Sequence, residues 1–221
     1  MRLVSSLFNS IIETEEGYVS SMVIENQDCF RAIMKDLASQ ALGADGDAVL
    51  SKDNKPIQMQ KGVEILSEFA PFCFSSKVIQ NKIASLLAKQ AMDEDHWLRS
   101  GKIISMIENY IGELAIDLPC EIDCTKLSFE GLIKSAGVAA QCTADDPIGE
   151  VLEYMELSRA LFGNRLFVTV NMRSWFGDGA IALFARDAAA KKLDLLMLEN
   201  SDHPRFANEK RLTIDSDLCE F

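Results

Sequence analysis

Two apolar runs, RLFVTVN at residues 165–171 and LDLLMLEN at 193–200, are separated by about twenty residues that include the helical stretch GAIALFARDAAAKK. Continuous apolarity over so short a length is what a strand buried on both faces requires, and such strands belong to parallel sheets. A helix between them makes a βαβ unit, whose crossover lays helices over the sheet faces. No other feature restricts the fold as much. A third buried strand, residues 18–24, runs through Glu25-Asn26-Gln27-Asp28 directly into an amphipathic helix. That helix takes Asn26 or Asp28 as its N-cap, carries Phe30, Ile33, Met34, Leu37 and Leu42 at three- and four-residue spacing, and ends near Gly43.

The rest of the chain falls into place around this sheet. Residues 2–8 and 10–14 have strand character, and Glu15-Glu16-Gly17 supplies the turn before the buried strand. Val49 and Leu50 suit a short strand, followed by a turn at Asp53-Asn54-Lys55-Pro56. From 62 to 110 the pattern is helical, with Pro71 as a break, Ser75-Ser76 capping a long helix, and Ile103, Ile104, Ile107, Ile111 and Leu114 striping a further one. Residues 115–123, AIDLPCEID, are extended and acid-rich. Residues 127–135 suit a helix stopped by Gly137, and Asp145-Asp146-Pro147 opens another that Gly163-Asn164 ends. The expected architecture is α/β: a discontinuous parallel-sheet head over 1–61 and 141–221, interrupted by an α-helical leg over 62–140.

Composition narrows the function classes. The chain has 221 residues, a formal net charge of −12 and a pI near 4.6, which argues against a protein that coats nucleic acid over its whole surface. A local basic face remains compatible with that charge. Six cysteines at 29, 73, 120, 124, 142 and 219 form no close pair, and only His96 and His203 could join them on zinc, so they are expected to be reduced, mostly buried small hydrophobes. With neither a leader-like segment nor a long apolar run, the expected location is the cytoplasm, away from membranes.

The motifs are mostly negative. No phosphate loop of the form G-x-x-x-x-G-K-[ST] occurs, and the first strand-to-helix turn carries Glu25 and Asp28, which repel a triphosphate. Gly177-Asp178-Gly179-Ala180-Ile181-Ala182 matches G-x-G-x-x-A, with Glu199 about twenty residues on, as a dinucleotide site would need. Five residues, MRSWF, stand between strand and glycines, however, so these glycines are expected to start a helix. No G-x-S-x-G elbow occurs, and Asp45-Gly46-Asp47 is a turn rather than a calcium loop. The carboxylates Asp117, Glu121, Asp123, Glu130, Asp145 and Asp146 could serve a hard cation or simply form a solvated acidic surface. Lysines gather mildly at 52, 55 and 61 and at 77, 82 and 89.

Several segments in order are more telling. VIENQDCFRAIMKDL, FEGLIKSAGV at 129–138, RLFVTVN, LLMLEN and the tail KRLTIDSDLCEF together resemble the Csn-two family, the accessory protein of spacer acquisition in type II-A CRISPR systems. The resemblance spans nearly the whole chain and rests on order, length and ending. It implies a sheet descended from a P-loop nucleotide hydrolase that has lost its phosphate loop, and no enzymatic activity. It further implies a homotetrameric ring that takes double-stranded DNA ends through a hole lined by Lys and Arg, with calcium holding the ring open. Partners would be the CRISPR integrase complex and the guide-RNA nuclease. Carried onto this chain, the resemblance points to Lys134 and Lys126, then Lys52, Lys55 and Lys61, as phosphate contacts. It points to Asp117, Glu121 and Asp123, with Glu130 or Asp145, as calcium ligands, although Pro119-Cys120 interrupt the acidic run. Two other classes remain open on the residues alone: a degenerate P-loop-like ATPase, and an acidic protein adaptor that binds no DNA.

Overall fold

The structure is a computed structural model and describes residues 1–120, 122–123 and 127–221. Its elements in chain order are β1 (Arg2–Ser5), β2 (Phe8–Glu13), β3 (Val19–Ile24), α1 (Gln27–Ala41), β4 (Val49–Lys52), β5 (Lys55–Ile57), α2 (Met59–Gly62) and β6 (Val63–Leu66). There follow α3 (Lys77–Ala91), α4 (Trp97–Leu114), α5 (Phe129–Ser135), α6 (Pro147–Phe162), β7 (Leu166–Val170), a single 3-10 turn (Met172–Ser174), α7 (Asp178–Ala190), β8 (Asp194–Glu199) and β9 (Glu209–Ile214). The chain forms two compact units, one of residues Met1–Cys73 with Cys142–Phe221 and the other of Phe74–Gln141.

The larger unit is mixed α/β. Its main sheet has five strands in the order β6-β7-β8-β3-β9, all parallel, and every residue of β3 and β7 is buried, as the apolar runs demand. A second, antiparallel sheet has the order β2-β1-β4-β5. One core joins the two: Leu3, Phe8, Ile12 and Leu50 of the antiparallel sheet and Ile33 and Leu37 of α1 cluster with Met22, Ile24, Val168, Val170, Leu196, Leu198 and Ile214. Strand alternation turns Val23, Phe167 and Met197 to the other face, where α6 and α7 supply Val151, Met155, Ile181, Phe184, Ala185 and Ala188, all buried. Among the described residues no helix is long and apolar enough to cross a membrane.

Two strands depart from the sequence expectation. The stretch that opens the helical pattern at residue 62 contains β6, which pairs with β7 in register Val63↔Leu166 to Leu66↔Thr169. Four residues are too few to show a period, and Val63, Ile65 and Leu66 fit a buried strand as well as a helix face. The tail KRLTI is β9, pairing with the whole of β3. Its charges hid it, and the structure neutralises them internally: the Arg211 guanidinium is 3% exposed and meets Glu209 at 2.7 Å and Asp202 at 2.5 Å. The described cysteines are also less buried than expected, with Cys73, Cys120 and Cys219 exposed and Cys29 and Cys142 half-buried, all five free thiols, while Cys124 lies outside the described residues.

The smaller unit is helical over its described residues. Ser76 caps α3 by accepting from the Ile79 N–H, and Ser128 caps α5 by accepting from the Gly131 N–H at 3.1 Å. Helix α4 buries only Ser100 in full and leaves Trp97, Leu98, Met106, Tyr110 and Leu114 exposed.

Candidate nucleic-acid interface

The basic residues are best understood from the β4–β5 hairpin outward. Asp53 and Asn54 both have positive φ, 51° and 59°, the geometry of a two-residue type I′ turn, and short polar side chains tolerate it. The turn fixes the register Leu50↔Ile57, Ser51↔Pro56 and Lys52↔Lys55. Two lysines therefore stand directly opposite one another at the hairpin tip. Like charges so placed destabilise a ladder, and among the described residues no carboxylate forms an ion pair with either. Pro56 sits on β5, an edge strand, where its missing N–H costs no ladder bond.

The hairpin is anchored by a close approach. A Cβ on Gly62 would lie 2.5 Å from Ile57 Cγ2 and 2.8 Å from Leu50 Cδ2, so only glycine lets α2 press against this pair. Lys61, exposed and next to that contact, shares the region with Lys52 and Lys55. Sequence spacing had grouped these three, and the structure brings them onto one hairpin and the helix packed on it.

Lys134 lies in the other unit, on α5, and its Nζ is 2.7 Å from Glu130 Oε1. The pair is half-exposed and spans one helical turn. The expected phosphate contact and one expected metal ligand are thus bonded to each other. Lys126 and Glu121 lie outside the described residues. Asp117 and Asp123 are exposed on non-helical backbone of the helical unit, while Asp145 is exposed in the α/β unit beside Asp146, which caps α6 by accepting from the Gly149 N–H at 2.8 Å. Exposed carboxylates on non-helical backbone suit calcium chemistry. Among the described residues, however, no three of His, Cys, Asp or Glu come together as a metal site. The donors have the right chemistry and are not assembled.

The carboxyl edge of the parallel sheet, where α/β folds hold small ligands, is built differently. Asn26 caps α1 by accepting from the Cys29 N–H at 3.0 Å, and its amide donates to the Ser216 carbonyl at 2.9 Å. Asp28 in the first turn pairs with Arg31. Glu25, Asp202, His203, Arg205, Arg211 and Thr213 line an open cleft of about 640 Å³ there. Burial, with Arg173 and Arg211 nearby, lowers the His203 pKa and keeps the imidazole neutral. Arg211 is committed to Glu209 and Asp202. Glu25 and Asp202 oppose Arg205 and Arg211 at the rim, and Arg211 is already neutralised, which makes a poor phosphate cradle. Gly177 is the N-cap of α7, and Trp175 and Phe176 stack edge-on against Phe69, so the G-x-G-x-x-A match is a helix start.

Sequence reasoning missed Arg173 and the burial of Glu199 at this edge. Arg173 is 3% exposed in its side chain and donates from Nη2 to Asp178 at 2.7 Å and to the Pro204 carbonyl at 2.6 Å. Glu199 is 1% exposed. The signal was an acid closing an apolar strand, LLMLEN.

A family model described as CRISPR-associated protein (Cas_Csn2) matches residues 40–218. No curated protein matches the chain significantly.

Proposed function

The chain belongs to the Cas_Csn2 family of CRISPR-associated proteins and is an accessory protein of spacer acquisition, and from that premise we propose that it is a non-catalytic ring that binds double-stranded DNA ends without reading their sequence. The observation that carries this reading is the Lys52↔Lys55 pair, two lysines opposed across a tight turn with no carboxylate among the described residues in an ion pair with either. A polyanion resolves that repulsion, and a DNA backbone supplies one phosphate after another at the needed spacing. Lys61, Lys134 and Lys126 add contacts. One protomer of net charge −12 holds a duplex weakly. Four copies around a shared channel sum their sparse cations into a useful grip.

Self-association is supported by α4, whose exposed Trp97, Leu98, Met106, Tyr110 and Leu114 exceed what a solitary helix leaves wet. The homotetramer would cover them. Calcium is the proposed cofactor, held by Asp117 and Asp123 with Glu121, and with Glu130 or Asp145 recruited as the donors gather. Bound there, the ion would neutralise the acidic stretch and fix its course. The parallel sheet, with Glu25 and Asp28 at the strand-to-helix turn, fits a P-loop hydrolase core that has lost its phosphate site. The protein would act in the cytoplasm beside the integrase complex and the guide-RNA nuclease.

The test is a gel shift of linear against closed-circular duplex, with calcium or chelator, beside light scattering for mass. Salt-sensitive binding to linear DNA by a particle of four subunits, weakened by chelation, supports the reading. Indifference to DNA ends, or binding by a solitary chain, overturns it.

A further inference from the structure

Glu199 ends β8 with its carboxylate in the interior. Its Oε1 accepts from the Arg173 backbone N–H at 3.3 Å, and its Oε2 has no partner among the described residues. The cation nearest to hand, Arg173, spends Nη2 on Asp178 and the Pro204 carbonyl and leaves its buried Nε unpartnered. Thr169 Oγ1 is a third buried atom without a partner. Register places Thr169 opposite Met197, two residues before Glu199, so the threonine and the acid share a sheet face. On β3 the residue opposite Glu199 is Val23, which offers no charge. The other charged or titratable groups at this edge are Glu25 after β3, Glu209 and Arg211 on β9, Asp178 at the start of α7, and Asp202, His203 and Arg205 after β8. Of these, Arg211 is neutralised by Glu209 and Asp202.

Two chain segments meet over this acid. Asn171, in the left-handed region at φ 50°, donates its N–H to the Leu198 carbonyl at 2.8 Å and accepts from the Asn200 N–H at 2.9 Å. Arg173 then ties the turn after β7 to Pro204 on the segment after β8. We propose that Glu199 is a proton-operated latch: neutral, it lets these two segments close over it, and ionised, it drives them apart and opens the carboxyl edge of the sheet. An ionised carboxylate whose nearest cation, Arg173, is already committed to Asp178 and Pro204 is costly in the interior and seeks water. Burial, with a smaller push from the Glu209 charge, raises the Glu199 carboxyl to about 7, outweighing the N–H groups of Arg173 and Met172 and the attraction of the Arg173 guanidinium, so the latch works near neutrality. Opening releases Arg173 from Pro204 and exposes its guanidinium. The inference rests on the sheet alone and stands apart from the DNA reading.

Amide hydrogen exchange on the full chain, from about pH 5 to about pH 9 and corrected for intrinsic base catalysis, tests it. In the wild type, protection over Met172–Ser174 and residues 200–208 should fall about tenfold or more once the pH passes neutrality. Glu199→Gln, which keeps the neutral shape, should stay protected throughout. Equal corrected profiles for the two proteins overturn the latch. Should the variant not fold, the wild-type carboxyl titration followed by carbon NMR decides: a midpoint near neutrality supports the latch, and a midpoint in the ordinary glutamate range overturns it.

Discussion

Lys134 Nζ and Glu130 Oε1 lie 2.7 Å apart on adjacent turns of α5, so the strongest phosphate-contact candidate in the sequence is held by an acid of its own helix. An exposed pair of this spacing contributes only about 0.3–0.5 kcal/mol. Phosphate can displace so weak a partner, and a calcium ion that takes Glu130 would release the lysine for DNA.

The two substitutions should therefore act in opposite directions. With chelator present, so that no calcium ligand is lost, Glu130→Gln frees Lys134 and should tighten the residual binding to every duplex, while Lys134→Glu should weaken all duplexes equally and lower the salt slope by about 0.9 per lost phosphate contact. Circular dichroism should show both variants folded. Gel shifts across a salt series measure the rest, and sequence-dependent losses would count against a phosphate role.

At the β4–β5 tip, stability and function should part company. Lys55→Thr removes a like-charge pair and should stabilise the α/β unit by a few tenths to about 1 kcal/mol in urea denaturation. The same change should weaken DNA binding. A purely structural lysine would move both measurements the same way.

Gly62 holds that tip in place. Alanine there would set a Cβ 2.5 Å from Ile57 Cγ2, a β-branched side chain with little room to give. Overpacking of this kind costs about 1–3 kcal/mol. The expected result is a lower denaturation midpoint together with poorer DNA binding, because the hairpin shifts as a whole.

Whereas the anchoring role of Gly62 needed Leu50 and Ile57 brought against it, the turn at Asp53-Asn54 and the caps at Asn26, Ser76 and Asp146 all follow local rules, and those parts of the fold were legible in the sequence. So were the buried strands, since their apolarity leaves no second reading. Strand β6 was not, because four residues, three of them apolar, carry no period. Strand β9 was not, because Glu209 and Arg211 read as surface until Asp202, far along the loop, is brought beside them. Charges that cancel across the fold cannot be seen along the chain. The lysine cluster at 52, 55 and 61 was visible by spacing, whereas the opposition of Lys52 and Lys55 needed the register of a hairpin. The acid network at Glu64 was equally hidden.

Glu64 on β6 accepts from Tyr154 Oη, Ser158 Oγ and, at 3.2 Å, Arg165 Nη1. Burial first, then the Glu64 charge, raises the Tyr154 pKa well above the usual phenol range, so the tyrosine stays a donor at any ordinary pH. Glu64→Ala strands three donors around a cavity and should cost about 3 kcal/mol, seen as a lower urea midpoint. A loss below about 1 kcal/mol would mean that water replaces the carboxylate fully.

Glu199 gives the pH dependence of folding its sign. Its folded pKa, about 7, exceeds the ordinary 4.5, so the native state holds the proton more tightly than the unfolded chain. The stabilisation from that proton is complete below pH 4.5 and is lost as the pH rises through 7. A shift of this size amounts to roughly 3 kcal/mol. Glu199→Gln cannot ionise, so its stability relative to wild type should rise across that window and level off above it. At acid pH the two proteins should run parallel. Urea denaturation at a series of pH values reads the difference directly, and a constant offset from acid to alkaline conditions would mean that Glu199 titrates alike in the native and unfolded states. The direction matters because other acids act the opposite way: hydrogen bonds to Thr143, Cys142 and Ala144 hold Glu153 below its usual range, so its contribution appears on raising the pH. A stability gain in the variant confined to neutral and alkaline conditions is therefore the signature of one buried acid at the carboxyl edge of β8.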